Sequence, residues 1–488
     1  MRAPPVVSAP VHSGDTEFTG AMGRNLATAP GATSCRRDTD RLARWPHCFV
    51  RPAGDDPAAF SPCPGVHIVV FHQHYTAPEG PHGARHYALL EHWRHRHEVT
   101  LLSAAYNAPS AHHWPRVPQG VRHVRIRAPY RNQMGQAARA VSFVRYAAGA
   151  VAQGLRIPRP DIIVGVSSPL FSAAAGAAVA AFREVPFVLD MKDIWPDFPV
   201  QMGAMPRPLA RGLYALERAL YRRSAHVVTL SPDMTDHVVA HDVSAAQVTT
   251  LYNGTDPRYV EASRAVDLDA LRRRHGLVEK RVVLYAGSFG RANNLPLLLR
   301  LAEHLAGTDS VLVCIGEGYG QDALRTAAER LPSLRLLPPV AHTDVYAWFR
   351  LADLSLVAFL PLRVLGTTSP AKLFDSLACG TPVVIFNDGW MRTLVEQTGC
   401  GFFVGEPDPE ACARHVAALL GDSERLVAAG ARAADLYAAD YAQMFDRDRH
   451  AARYEALFGD VAPISPATEP ASSPAPRVPL LQTSHLGQ

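Results

Sequence analysis

The sequence predicts an α/β protein with two Rossmann-like, doubly wound parallel sheets facing across a cleft. Short β-branched runs recur along the chain: VHIVVF, EVTLLS, DIIVGV, PFVLD and HVVTL before residue 255, then VVLYAG, SVLVCI, LSLVAF and TPVVIF after residue 280. Amphipathic segments separate the runs. Strands alternating with helices imply right-handed crossovers and therefore parallel pairing. A polar, charged stretch from Asp256 to Lys280 parts the two series. Sheets of this kind carry their ligand crevice at the carboxyl ends of the strands.

The first series fills residues 65–258 and the second 259–440, and a helical segment at 441–459 is expected to cross back to the first domain. Residues 1–64 mix Pro, Gly, Ser, Thr and Arg without periodicity, and residues 460–488 are rich in Pro, Ser and Ala. Both read as disordered tails, because such compositions bury too little apolar surface to offset chain entropy. The 488 residues are 48% apolar and 19% charged, which suits a sizeable core. With 49 Lys and Arg against 45 Asp and Glu the net charge is +4, too weak a field to make nucleic acid the main partner. Seven scattered cysteines with no Cys-x-x-Cys pair read as reduced thiols. With no apolar leader at the start, the expected setting is cytoplasmic.

The segment Thr367–Phe386, TTSPAKLFDSLACGTPVVIF, carries the most chemistry. Ser369 suits an N-cap, Pro370 the first helical position and Gly380 the C′ position, so a short buried helix is specified at both ends. A free helix N-terminus offers unpaired N–H groups and partial positive charge to a phosphate, and Lys372 adds a full charge there. Asp375, three residues on, shares its face and could hold ribose hydroxyls, with Leu373 between them in the same turn. The competing reading is a surface Lys–Asp pair at helical spacing.

Two further loops follow strands in the second series. Gly287, Ser288 and Gly290 allow close backbone approach, and Arg291 could fork onto phosphate oxygens. Gly316 and Glu317 open the next loop. Because the pattern is not G-x-G-x-x-G, a dinucleotide enzyme is disfavoured. In the first series, Gly83 and Arg85 sit in the loop after the opening strand. Asp190, Asp193, Trp195 and Asp197 lie past PFVLD, where carboxylates and an indole suit a sugar. Capping by Asp193 and burial of Trp195 compete with that reading. Asp267-Leu-Asp269 spells D-x-D but precedes an Arg-rich helix, where capping explains it better.

From Val66 to Phe458 the chain resembles the retaining nucleotide-sugar glycosyltransferases of GT-B fold, family four. Within them it is similar to the WbuB-like, N-acetylfucosaminyltransferase subgroup that builds bacterial surface polysaccharides. The motifs are Asp193-Ile-Trp195-Pro196-Asp197, Leu251-Tyr-Asn253-Gly254-Thr-Asp256, Ala286-Gly287-Ser-Phe-Gly290-Arg291 and Thr368-Ser369-Pro370-Ala-Lys372-Leu-Phe374-Asp375. The resemblance implies an acceptor-binding first domain with Gly83, Arg85, Asp190, Trp195 and Asp197. It also implies a donor-binding second domain with Gly287, Ser288, Gly290, Gly316, Glu317, Ser369, Pro370, Leu373 and Asp375. Catalysis would rest on Arg291, Lys372 and Asp193, with no metal or other cofactor. The donor would be a nucleoside-diphosphate sugar, UDP by family habit, and the acceptor a saccharide or a lipid-linked one.

The chain departs from its relatives at four points. Of the two glutamates they place eight positions apart, the second is Asp375 and the first Thr367. Their donor-phosphate Arg and Lys become Ser288 and Asn293. His72 and His74, at the end of the first strand, read as polar loop residues. Residues 206–223 form a basic amphipathic pattern, with Leu209, Leu213, Leu216 and Leu220 inward and Arg207, Arg211, Arg218 and Arg222 outward. That pattern fits either a packed helix or one lying on an anionic membrane at the inner face of the cell. A sugar-nucleotide epimerase or an inactive sugar-nucleotide-binding protein would use the same architecture.

Overall fold

The computed structural model describes residues 65–78, 85–106, 114–131, 134–167, 169–406, 408–439 and 445–461, all within the compact unit Phe60–Gln488. The expected N-terminal tail, and the C-terminal one beyond Val461, lie outside them. The first sheet comprises β1 (His67–Phe71), β2 (Glu98–Tyr106), β3 (Arg122–Tyr130), β4 (Ile162–Val166), β5 (Phe187–Asp190), β6 (His226–Thr229) and β7 (Val248–Thr250). They lie parallel in the order β3-β2-β1-β4-β5-β6-β7. Helices α1 (Arg85–Trp93), α2 (Gln136–Gly154), α3 (Leu170–Arg183), α4 (Asp197–Gln201), α5 (Arg207–Arg223) and α6 (Pro232–Val239) accompany it.

The second sheet comprises β8 (Arg281–Ala286), β9 (Ser310–Ile315), β10 (Leu334–Leu337), β11 (Leu354–Val357), β12 (Val383–Ile385) and β13 (Gly401–Phe403). Its parallel order is β10-β9-β8-β11-β12-β13. The polar stretch before it folds as α7 (Pro257–Ser263) and α8 (Leu268–His275), and Asp267 caps α8 by accepting from Ala270 N at 2.9 Å. The lobe continues with α9 (Leu295–His304), α10 (Gln321–Arg330), α11 (Val345–Leu351), α12 (Arg363–Gly366), α13 (Ala371–Ala378), α14 (Trp390–Thr398), α15 (Pro409–Leu420) and α16 (Ser423–Ala438). A last helix, α17, spans Arg447–Val461.

The central strands are largely buried and mostly apolar because both faces of each sheet are covered. In β1, Val69 and Phe71 point into the core shared with α2 and α3, while Ile68 and Val70 enter the one beneath α1 and α17. In β8, Val283 and Tyr285 enter one core and Val282 and Leu284 the opposite one. Helix α17 brings Ala451, Tyr454 and Phe458 onto the first lobe, where Trp93 donates through Nε1 to Ala451 O at 3.3 Å.

The lobes meet through loops and the ends of helices that follow the carboxyl ends of their strands. Ser231 Oγ donates to Thr367 O (2.6 Å), Trp390 N donates to Asp233 Oδ2 (2.9 Å), and Val364 N donates to Gln201 Oε1 (3.0 Å). Val364 and Leu365 of the second lobe are buried in the first lobe's core cluster. Helix α5 packs through Leu213 and Leu220, while all four outward arginines are exposed. Leu209, expected inward, is 53% exposed, since it lies in the first turn before the packed stretch begins. Among the described residues no helix is long and apolar enough to cross a membrane.

Candidate functional site

The loops after β8 and β9 back onto each other. Phe289 N donates to Glu317 O (2.8 Å), Gly320 N to Phe289 O (2.9 Å) and Gly287 N to Ile315 O (2.9 Å). Gly316 has φ +149°, and a Cβ there would stand 1.9 Å from Gly287 O. Only glycine fits that approach. Together with His342, Val340 and the start of α13, these loops enclose a pocket of about 190 Å3 whose lining includes Gly287, Ser288, Gly316, Glu317, Lys372 and Asp375.

Helix α13 opens into this pocket. Pro370 occupies its cap position, and no side chain caps the first turn, of which Ala371 and Lys372 line the pocket. The partial positive charge of the helix end is therefore directed at the space where an anion would sit. Lys372 Nζ lies 3.9 Å from the centroid of the Tyr285 ring, and burial lowers its pKa to about 7. Asp375, 2% exposed, accepts through Oδ1 from Thr255 Oγ1 and Tyr346 OH, both at 2.8 Å. Its Oδ2 is 3.8 Å from His342 Nε2.

A second polar cluster sits at the carboxyl ends of β1 and β5. The fully buried Asp190 accepts two bonds from Arg85 Nη1 (3.1 and 2.9 Å) and lies 3.5 Å from His86 Nε2. Burial alone would raise this carboxyl, but Arg85 and His86 hold it well below the usual carboxylate range. Burial lowers His86 to about 4, and its ring lies tilted against the buried His72, centroids 4.2 Å apart. Among the described residues, neither His72 nitrogen has a hydrogen-bond partner, nor do Arg85 Nε and Nη2.

Two family descriptions match the chain, one in each lobe. Residues 82–254 match the glycosyl transferase 4-like domain and residues 280–422 match glycosyl transferases group 1. Each lobe thus matches a glycosyltransferase family description of its own. Its relatives include a D-inositol 3-phosphate glycosyltransferase of Catenulispora acidiphila, 29% identical over 53% of this chain and 63% of the relative. Another, of Escherichia coli K12, is named for colanic acid biosynthesis as the glycosyl transferase WcaI; it is 25% identical over 46% of this chain and 57% of the relative. The chain thus spans less than two thirds of the length of these relatives. Among solved structures, Anabaena HepE in complex with UDP and glucose aligns at a TM-score of 0.58 with 17% identity, covering 81% of this chain and all of HepE. WaaG, described as involved in lipopolysaccharide biosynthesis, aligns at 0.58 with 15% identity, covering 81% of this chain and 99% of WaaG. These likenesses give the GT-B fold, two parallel-sheet domains of seven and six strands.

The expected second-lobe residues divide. Gly287, Ser288, Gly316, Glu317, Lys372 and Asp375 come together in the pocket, whereas Arg291 does not line it. Its exposed guanidinium lies 3.8 Å from the centroid of the Tyr319 ring, an aromatic face that competes for the cation. Gly290 lies beside the pocket, 3.2 Å separating a notional Cβ from Ser288 Oγ. Ser369 is not the N-cap: its Oγ accepts from Asn253 N at 3.4 Å, and the helix begins one residue later, after Pro370. Leu373 is fully buried core, and its N–H already donates to Pro370 O at 3.1 Å.

The first-lobe expectations change more. Arg85 and Asp190 form a buried ion pair through Arg85 Nη1 rather than standing open to an acceptor. Asp197 accepts from Tyr214 OH and so ties α4 to α5. Trp195, partly buried, packs on the core with its ring 6.3 Å from Phe143. Asp193 occupies the turn after β5, partly exposed and away from the pocket lining. Gly83 lies outside the described residues. His72, in the loop just past β1 as expected, is buried, and the ring of the partly exposed His74 lies tilted against Tyr130, centroids 4.4 Å apart. Sequence reasoning missed His86, Tyr346, Thr255 and His342. The only signal for His342 is its place after the LRLL strand.

Proposed function

We propose that the chain moves a sugar from a nucleoside-diphosphate sugar, with UDP as the nucleotide, to a hydroxyl of a saccharide or lipid-linked acceptor in surface polysaccharide or glycolipid assembly. The observation that carries this reading is the uncapped first turn of α13 opening into a pocket beside Lys372. The solved complexes of HepE with UDP and with UDP-glucose support the choice of nucleotide, and the names of WcaI and WaaG support the setting.

Departure of the diphosphate concentrates negative charge on its oxygens while the anomeric carbon becomes cationic. Preorganised positive charge at that position lowers the barrier more than any other single contribution. In this reading Lys372 and the N–H groups of α13 hold the leaving phosphate, and the bare backbone at Gly287 and Gly316 lets it approach closely. Asp375 Oδ2 accepts from a ribose hydroxyl. The leaving phosphate takes the acceptor's proton on the face it departs from, which retains configuration and needs no metal ion. Arg291 joins the site only by leaving Tyr319, so Lys372 carries the larger share. Membrane contact through the exposed arginines of α5 is part of the same reading. Binding to anionic but not neutral vesicles would support it, and no binding to either would remove it.

The deciding experiment incubates the full chain with a panel of UDP-sugars, with and without saccharide and lipid-linked acceptors. Acceptor-dependent release of UDP and a glycosylated product whose anomeric configuration matches the donor are expected. Conversion of the donor alone into its epimer, or nucleotide binding with no product, would overturn the transferase reading.

A further inference from the structure

Helices α5 and α6 bring together a cluster that sugar transfer does not use. Glu217 of α5 is 1% exposed, yet it carries a carboxylate into the packing between the helices. Its Oε1 accepts from Tyr221 OH at 2.8 Å and lies 3.1 Å from His237 Nε2. Its Oε2 is buried and has no hydrogen-bond partner among the described residues. His241 stands one helical turn beyond His237, with the two rings tilted together at a centroid distance of 4.5 Å. One metal-ligating atom from each of Glu217, His237 and His241 lies within 4.8 Å of the other two.

An ion pair between Glu217 and a protonated His237 would use only part of this arrangement. It leaves Oε2 unsatisfied, and a buried, incompletely paired carboxylate is costly. Protonating both imidazoles would set two positive rings against each other. A divalent cation resolves both difficulties, because it takes neutral imidazoles and neutralises the carboxylate. Ligand atoms bonded at about 2.0–2.1 Å around a tetrahedral metal stand roughly 3.3 Å apart; Glu217 Oε1 and His237 Nε2 are 3.1 Å apart, and the ligand atoms of all three residues lie within 4.8 Å of one another. The outer contacts fit as well. His241 Nδ1 lies 2.8 Å from His237 O, and since a carbonyl only accepts, that nitrogen carries the proton and Nε2 holds the lone pair. Tyr221 OH orients Glu217 in the same way.

We infer that Glu217, His237 and His241 form a site for a zinc-class divalent cation, with water as a fourth ligand, that staples α5 to α6 in the first lobe. Two imidazoles and one carboxylate suit zinc better than magnesium or calcium, which prefer oxygen donors throughout. The site shares no residue with the nucleotide pocket, and the inference stands apart from the sugar-transfer reading. The far end of α6 begins at Ser231, whose hydroxyl holds Thr367 of the second lobe, so the staple would steady a helix that spans from the cluster to the lobe boundary.

The test is zinc titration of the full-length chain after chelator treatment and dialysis, read by equivalents bound and by melting temperature. His241→Gln, at a partly exposed position, and Glu217→Gln, which keeps its shape and the Tyr221 contact, are titrated in parallel. The wild type should bind one more tight equivalent than either variant, with affinity in the variants reduced by more than the roughly 10–100-fold that loss of an outer-shell partner costs. Zinc should raise the melting temperature of the wild type only. No tight zinc in the wild type, or equal stoichiometry and equal thermal shift in wild type and variants, would overturn the inference. Should His241→Gln fail to fold, Glu217→Gln alone decides between the same two results.

Discussion

Lys372 brings an amine into a pocket lined mostly by glycine and apolar residues, and burial holds its pKa near 7. A diphosphate stabilises the ammonium, so binding should take up a proton once the free protein's Lys372 has begun to lose its own. Affinity for UDP is therefore expected to be flat below pH 7 and to fall above it, by up to about tenfold per pH unit. Calorimetric titration at several pH values, in two buffers of different ionisation enthalpy, would detect the proton uptake. Lys372→Arg should abolish the dependence, and an identical slope in that variant would assign it to another group. Lys372 and Asp375 were legible because three residues of helical spacing place them on one face after a Ser-Pro start. Arg291 was not, since the Tyr319 ring that holds it belongs to a different loop, and nothing local signals the contact. Asp190 and Arg85 were likewise read as open to a ligand, because their pairing spans 105 residues.

Among the elements, the glycine loops bear the geometry of the site. Gly316→Ala places a side chain against Gly287 O at a backbone angle that L residues avoid. The loop must move, at a cost of at least the roughly 1–3 kcal/mol of a strained residue. Urea unfolding should show that loss together with weaker UDP binding, whereas unchanged stability and affinity would show that the two loops are not locked together. The nine central runs read from the sequence all became strands. The four strands that were missed, β3, β7, β10 and β13, are the four sheet edges. An edge strand pairs on one side only and carries polar residues, as in RHVRIRAPY, so the continuous apolar run that marks a doubly covered strand is absent.

At the scale of the molecule, the last described helix returns to the first lobe. Phe458 and Tyr454 pack on Trp93 at centroid distances of 5.1 and 5.0 Å, so α17 completes the core beneath β1. Phe458→Ala should destabilise the full chain by about 3–5 kcal/mol, measured by denaturant unfolding, and a cost below about 1 kcal/mol would mean that α17 docks without contributing core. Chelation separates two further claims. EDTA should leave transfer intact well below the unfolding temperature, because the proposed chemistry needs no metal, while removal of zinc from the cluster on α5 and α6 should lower the melting temperature. Loss of turnover on chelation, restored by magnesium or manganese, would contradict the metal-free mechanism.

Titration of the wild type and Lys372→Ala with UDP at pH 7 tests the central claim most directly, with folding of both checked by circular dichroism. Saturable binding by the wild type and affinity about 100-fold weaker in the variant is the expected result, the size of a lost charge-assisted contact to phosphate. Equal affinity in the two proteins, or no nucleotide binding by the folded wild type, would contradict it.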